Sequence, residues 1–235
     1  MKIRCVWEHN GNDSLLYAAN FIGAFTRGPS LDAAIRKMPC EIQAYLKWKG
    51  ESVPDTLEVE IIQQSSSELT ISDADSDVLF DEERKILSMS EYLASKSLAL
   101  KSAQGFLTLY EAIPDKDKSC LPARSTFYGQ IPRSALEMYE HTKNVNGYYF
   151  GEIGVSADNE GNILECRERG FALLERQSHF LDNTVCSGSY GEEWSLRKVL
   201  RRFIWHDRIH AKAMYRMAVN TFGPDSVPNV FCFDV

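Results

Sequence analysis

The stretch Trp205-His206-Asp207-Arg208-Ile209-His210 lies inside a long patterned run from about Trp194 to Phe222. Histidines at i and i+4 share one face of an α-helix, where both rings can reach a single metal ion. With His206 as origin, Val199, Phe203, His210, Ala213 and Met217 fall within about 60° of it, so the pair points into an apolar seam. Arg197, Arg201, Arg208 and Lys212 fall on the opposite side and read as a solvated basic face. Arg202 is one turn before His206 on the histidine side, placed either to meet an anionic substrate group or to snorkel to a neighbouring carboxylate. The motif is not the HExxH of a zincin, because Asp207 stands where the glutamate belongs.

Three further helical segments precede this one. Met89 to Ile113 is ended by Pro114-Asp115, Ser134 to Glu152 follows a helix-starting Pro132, and Ile163 to Leu181 carries Phe171, Leu174, Ser178 and Leu181 on one stripe. Four helices joined by polar loops predict a four-helix bundle over residues 88–235. Two inward imidazoles without a metal would each need a hydrogen-bond partner, so a third metal ligand is expected from another helix. His141 shares a stripe with Met138, Val145 and Tyr148, whereas the competitor, His179, follows the polar Gln177-Ser178. Glu137 and Tyr148 flank His141 on its stripe. Each is a candidate for substrate contact or proton transfer and equally for a structural role.

Residues 1–64 read as a small β-β-(β)-α-β unit. Apolar stretches at Lys2–Glu8 and Ser14–Phe21 bracket a turn at Asn10-Gly11-Asn12-Asp13, and a short third strand is expected near Ala24–Thr26. Pro29-Ser30 opens a helix that Pro39 should bend or interrupt and Gly50 should end. Leu57 to Ile62 alternates as a half-buried strand does. Residues 65–87 then read as an acidic linker, since Glu68, Asp73, Asp75, Asp77, Asp81, Glu82 and Glu83 carry most of the chain's net charge of −7. The fold class is therefore α+β, a small sheet domain followed by an all-α bundle.

The 235 residues, 44% hydrophobic and 25% charged, exclude a disordered or collagen-like chain. No apolar run spans a bilayer, and the start lacks the h-region of a signal peptide, so a cytoplasmic protein is expected. Its acidity disfavours nonspecific nucleic-acid binding. The six cysteines, scattered without a CxxC pair, read as reduced thiols, with neither Cys166 nor Cys186 placed as a nucleophile.

The order of elements in residues 1–64, with Gly23-Ala24-Phe25-Thr26-Arg27-Gly28-Pro29-Ser30-Leu31-Asp32-Ala33-Ala34, resembles the HicB-like domain of bacterial antitoxins. That resemblance implies a module that binds a protein partner or builds homo-oligomers. Residues 88–222 resemble the DinB/YfiT-like metal-binding bundles, through Glu137-Met138-Tyr139-Glu140-His141-Thr142 and Trp205-His206-Asp207-Arg208-Ile209-His210. This second resemblance implies His141, His206 and His210 as ligands of a divalent ion, nickel or zinc, with positions left open for water or substrate. It also implies thiol-dependent transfer or isomerisation with bacillithiol, mycothiol or glutathione, or, in other members, hydrolysis. The expectation is a metal-dependent S-transferase that joins a low-molecular-weight thiol to a small electrophile. The alternatives are a metal-dependent hydrolase and a non-enzymatic metal-binding or regulatory module.

Overall fold

The computed structural model describes residues 1–126 and 129–234. Strands β1 (Lys2–Asn10) and β2 (Asp13–Ala18) pair antiparallel, with Asn10 opposite Asp13. Gly11 sits between them at φ +56°, as the first central residue of a tight two-residue hairpin requires. β2 pairs antiparallel with β3 (Phe25–Gly28), and β4 (Glu58–Ser66) adds parallel to β1, giving the order β3-β2-β1-β4. Helix α1 (Leu31–Lys49) connects β3 to β4 and crosses the sheet. Ser30 caps its first turn through its side-chain oxygen, and Gly50 at φ +83° ends it. The helix continues through Pro39 without the expected break.

Residues 65–87 differ from the expected solvated linker. Ser65 and Ser66 complete β4, and Ile71, Val78, Leu79, Phe80 and Leu87 are all buried. Ile71, Val78 and Phe80 form a cluster with Val6, Leu15 and Tyr17 of the sheet and with Trp205. The acidic residues conceal an apolar residue at nearly every turn of this segment, and burying those residues fastens it in place. Sheet and helices thus share a continuous interior, in which Phe21, Tyr45 and Trp48 belong to the same cluster as Phe203, Ile204 and Phe231. Gly23, at φ +88°, lies so close to Ile204 that a Cβ there would overlap its side chain.

The helical region comprises α2 (Met89–Ala112), α3 (Ala135–Gly151), α4 (Ile163–Leu174) and α5 (Leu196–Phe222). α2 and α3 each pack on both α4 and α5. Ser88 with Glu91, Ser134 with Glu137, and Asn162 with Glu165 form capping boxes that fix three of the four starts. α4 ends at Leu174, not Leu181, because residues 175–179 are all exposed and a further turn would bury nothing.

α5 is the spine of the molecule, and its basic side is not the expected solvated face: Arg201 and Arg208 are buried, and Arg197 and Lys212 are half-buried. The sheet unit and residues 77–84 cover it, and buried carboxylates meet its cations. Arg201 donates to Glu83, Arg208 donates to Glu41 at 2.6 Å, and Lys198 pairs with Glu192 at 2.8 Å. Arg208 also lies among the rings of Tyr45, Trp48, Phe231 and Phe233. No helix among the described residues is long and apolar enough to cross a membrane.

Candidate metal centre

α5 presents His206 and His210 one turn apart, and α3 brings His141 opposite them. The three ring centroids lie 4.4 to 5.1 Å from one another. His206 Nε2 and His210 Nε2 are 3.2 Å apart, and one ligand atom from each histidine falls within 4.8 Å of the others. Metal–nitrogen bonds of about 2.0–2.1 Å put neighbouring nitrogens of one ion roughly 2.9–3.4 Å apart. The α5 pair already has that spacing, and His141, the most exposed of the three, faces the open cavity. These residues can hold a metal ion.

Electrostatics favour the same use. Burial, reinforced by the neighbouring imidazoles, Arg202 and Arg167, pushes His206 well below the usual imidazole range. Burial and His141 push His210 down to about 3, and burial lowers His141. All three rings are therefore neutral at pH 7, the form in which an imidazole nitrogen can donate its lone pair. His206 Nδ1 is buried without a hydrogen-bond partner among the described residues. Next door, Asp207 is fully buried in a two-bond ion pair with Arg167, at 2.7 and 3.2 Å, which locks this turn of α5 against α4.

The histidines line a cavity of about 1370 Å³. Arg202 and Tyr148 line it too, whereas Glu137 does not. Arg202 is 9% exposed, has Glu192 at 3.8 Å, and sits against the rings of Tyr149, Trp194 and Trp205. The neighbouring carboxylate expected for it is thus present, and its Nε is nevertheless buried and unpartnered. Burial and the charges of Glu192 and Glu152 raise the Tyr148 phenol, which keeps its proton. Glu137 is spent on the start of α3, where its carboxylate accepts from the backbone N–H groups of Arg133 and Ser134 at 2.8 and 3.0 Å. Those bonds hold it below the usual carboxylate range, and they explain why it is a cap and not a cavity residue. His179 lies in the turn after α4, 82% exposed with Asp182 for company, and does not join the cluster.

About a third of the residues lining the cavity come from the sheet unit and the segment after it, and had no signal near the histidines in the sequence. Arg27 from β3, Arg36 and Glu41 from α1, and Asp73 from the following segment all face it. They are brought there by the packing of the sheet unit over α5, which no local periodicity reports. The six cysteines are free, and Cys5 and Cys166 are buried, with burial pushing the Cys5 thiol up to about 12.

Fold and site together define an α+β protein with a three-histidine centre in a large cavity between a sheet unit and a helical region. No family model, curated protein or solved structure matches the chain.

Proposed function

We propose that the chain is a DinB-like metal-dependent thiol S-transferase, in which His141, His206 and His210 hold one divalent ion, nickel or zinc. The observation that carries this reading is the convergence of three neutral imidazoles, from two helices, on a cavity large enough for two small molecules. A structural zinc site normally closes with a fourth protein ligand, and among the described residues the histidines are joined by no other candidate ligand. A divalent ion there would stabilise a thiolate at neutral pH.

The chain's own residues do the rest. Trp205 and Tyr149 supply an apolar wall that limits water. Arg202 offers a fixed cation to an anionic group of the thiol or its acceptor, and the Tyr148 hydroxyl can donate to a substrate oxygen. With 1-chloro-2,4-dinitrobenzene as acceptor, a sulfur–carbon bond forms, the carbon–chlorine bond breaks, chloride leaves, and the thiol proton passes to water through the open mouth. The sheet unit, which resembles HicB-like domains, is proposed to cover the centre as well as to serve assembly with a second copy or a protein partner.

The test is conjugation of low-molecular-weight thiols to that acceptor by protein loaded with zinc or nickel. Metal-dependent turnover that falls at least a hundredfold in His206→Ala is expected. Ester hydrolysis without any thiol would favour the hydrolase reading, and metal binding with neither activity would favour a non-enzymatic module.

A further inference from the structure

The cavity is electropositive in an acidic protein. Nine arginines and lysines and six aspartates and glutamates line it, a local balance of +3 in a chain whose net charge is −7. Several of these cations have carboxylate partners. Arg124 pairs with Asp73 at 2.9 Å, Glu41 is shared by Arg208 at 2.6 Å and Lys212 at 3.7 Å, and Arg202 has Glu192 at 3.8 Å. Others have none. Arg27 makes no ion pair among the described residues, donates to the Ser72 carbonyl at 2.9 Å, and feels the attraction of Asp73, itself paired with Arg124, as well as the repulsion of Arg124 and Arg216. Arg36 and Arg216 make no ion pair or side-chain hydrogen bond among the described residues. Guanidinium groups gathered around one cavity repel one another unless an anion comes between them.

The cations also have an order. Arg202 precedes His206 by one helical turn, and Arg216 follows His210 by six residues, about 9 Å along the axis. Arg27 of the sheet unit stands on the Arg216 side, since the two interact electrostatically, and Arg36 lines the same cavity from α1. Positive charge therefore brackets the histidines. At one end is Arg202, 9% exposed with a buried, unpartnered Nε, and at the other is an exposed wall contributed by two parts of the chain.

We propose that the cavity takes a small organic molecule with a negative charge at each end, one group held by Arg202 and the other by Arg27, Arg36 and Arg216. The sheet unit thereby becomes half of the binding site. The inference deepens the proposed function by naming the charge pattern of its substrate, and it rests on that reading only in placing the reactive group between the two ends.

Metal-free protein isolates the charge pattern from the metal. The probes are suberate, whose two carboxylates are separated by six methylenes, the monoanion octanoate, and the neutral octane-1,8-diol, measured by titration calorimetry at low and high salt. Suberate is expected to bind more tightly than octanoate and octanoate more tightly than the diol, with the preference shrinking as salt rises. Arg216→Gln and Arg36→Gln, which remove no internal partner, should each weaken suberate about tenfold, as loss of one charge-assisted bond does. Their unfolding temperatures and zinc titrations should match those of wild type. Absence of suberate binding, equal binding of suberate and the diol, or unchanged suberate affinity in both variants would overturn the proposal. Zinc that fails to bind while the suberate pattern holds would sink the metal reading and leave this one standing.

Discussion

Glu83→Ala is the sharpest probe of how the two halves of the chain are joined. In the native protein the Glu83 carboxylate accepts from Arg201 through Nε and Nη2 and also from the Phe80 backbone N–H, and its side chain is 7% exposed against 4% for Arg201. Removing it leaves a buried guanidinium with the Val78 carbonyl as its remaining hydrogen-bond partner, against the rings of Tyr17 and Phe80. Breaking a buried pair from one side costs about 3–5 kcal/mol, and losing the hydrogen bond to Phe80 adds about 1 kcal/mol. A total near 5 kcal/mol takes much of the roughly 5–15 kcal/mol that holds an ordinary domain together. Glu83→Gln, which keeps the shape and one acceptor oxygen, should lose less than half as much and guards against a variant too unstable to measure. Asp81→Ala, at an exposed neighbour, should stay within about 0.5 kcal/mol of wild type. Urea unfolding followed by far-UV circular dichroism and tryptophan fluorescence reads all three, with coincident transitions expected for wild type. If Glu83→Ala loses less than about 1 kcal/mol, or if the two probes separate, residues 65–87 behave as a solvated linker and the shared interior is wrong.

Gly23→Ala should destabilise by at least about 2 kcal/mol, because the added methyl overlaps Ile204 and the backbone is at positive φ; unfolding matching wild type would show that the sheet unit does not sit this closely on α5. Glu137→Ala should cost about 1 kcal/mol as a lost cap while leaving zinc affinity unchanged, and weakened zinc binding would return Glu137 to the centre. Acid should destabilise the metal-free protein through the histidines. Their native values lie below the unfolded one near 6.5, so the unfolded state takes up protons first, and stability present at pH 7 is lost as pH falls. At pH 5 the loss is about 2 kcal/mol for each imidazole that stays neutral in the native state. A His206→Gln/His210→Gln variant should show a smaller drop from pH 7 to pH 5, and an equal drop would assign the acid sensitivity elsewhere.

What was legible in the sequence was what local physics controls. The hairpin at Gly11, the helix between Ser30 and Gly50, and the helices starting after Ser88, Ser134 and Asn162 follow from periodicity, caps and turns. The pairing of His206 with His210 follows from helical spacing, and their meeting with His141 from the demand that inward imidazoles find a use. The basic side of α5 was misread because solvation of a helix face depends on what packs over it. Glu41 and Glu83 come from 167 and 118 residues before their partners Arg208 and Arg201, and a long-range ion pair leaves no periodic trace. Residues 65–87 were misread because their acidic composition outweighed scattered apolar residues whose burial depends on the same packing. The cavity wall of Arg27, Arg36 and Arg216 was illegible for the same reason.

The most direct test of the metal centre is X-ray absorption at the metal edge of protein loaded with one equivalent of zinc or nickel. Three imidazole nitrogens at about 2.0–2.2 Å are expected, with any remaining ligands being non-protein oxygens, and one imidazole should be lost in each of His141→Ala, His206→Ala and His210→Ala but none in His179→Ala. A spectrum with sulfur ligands, with fewer than two imidazoles, or unchanged in His206→Ala would contradict the centre described above.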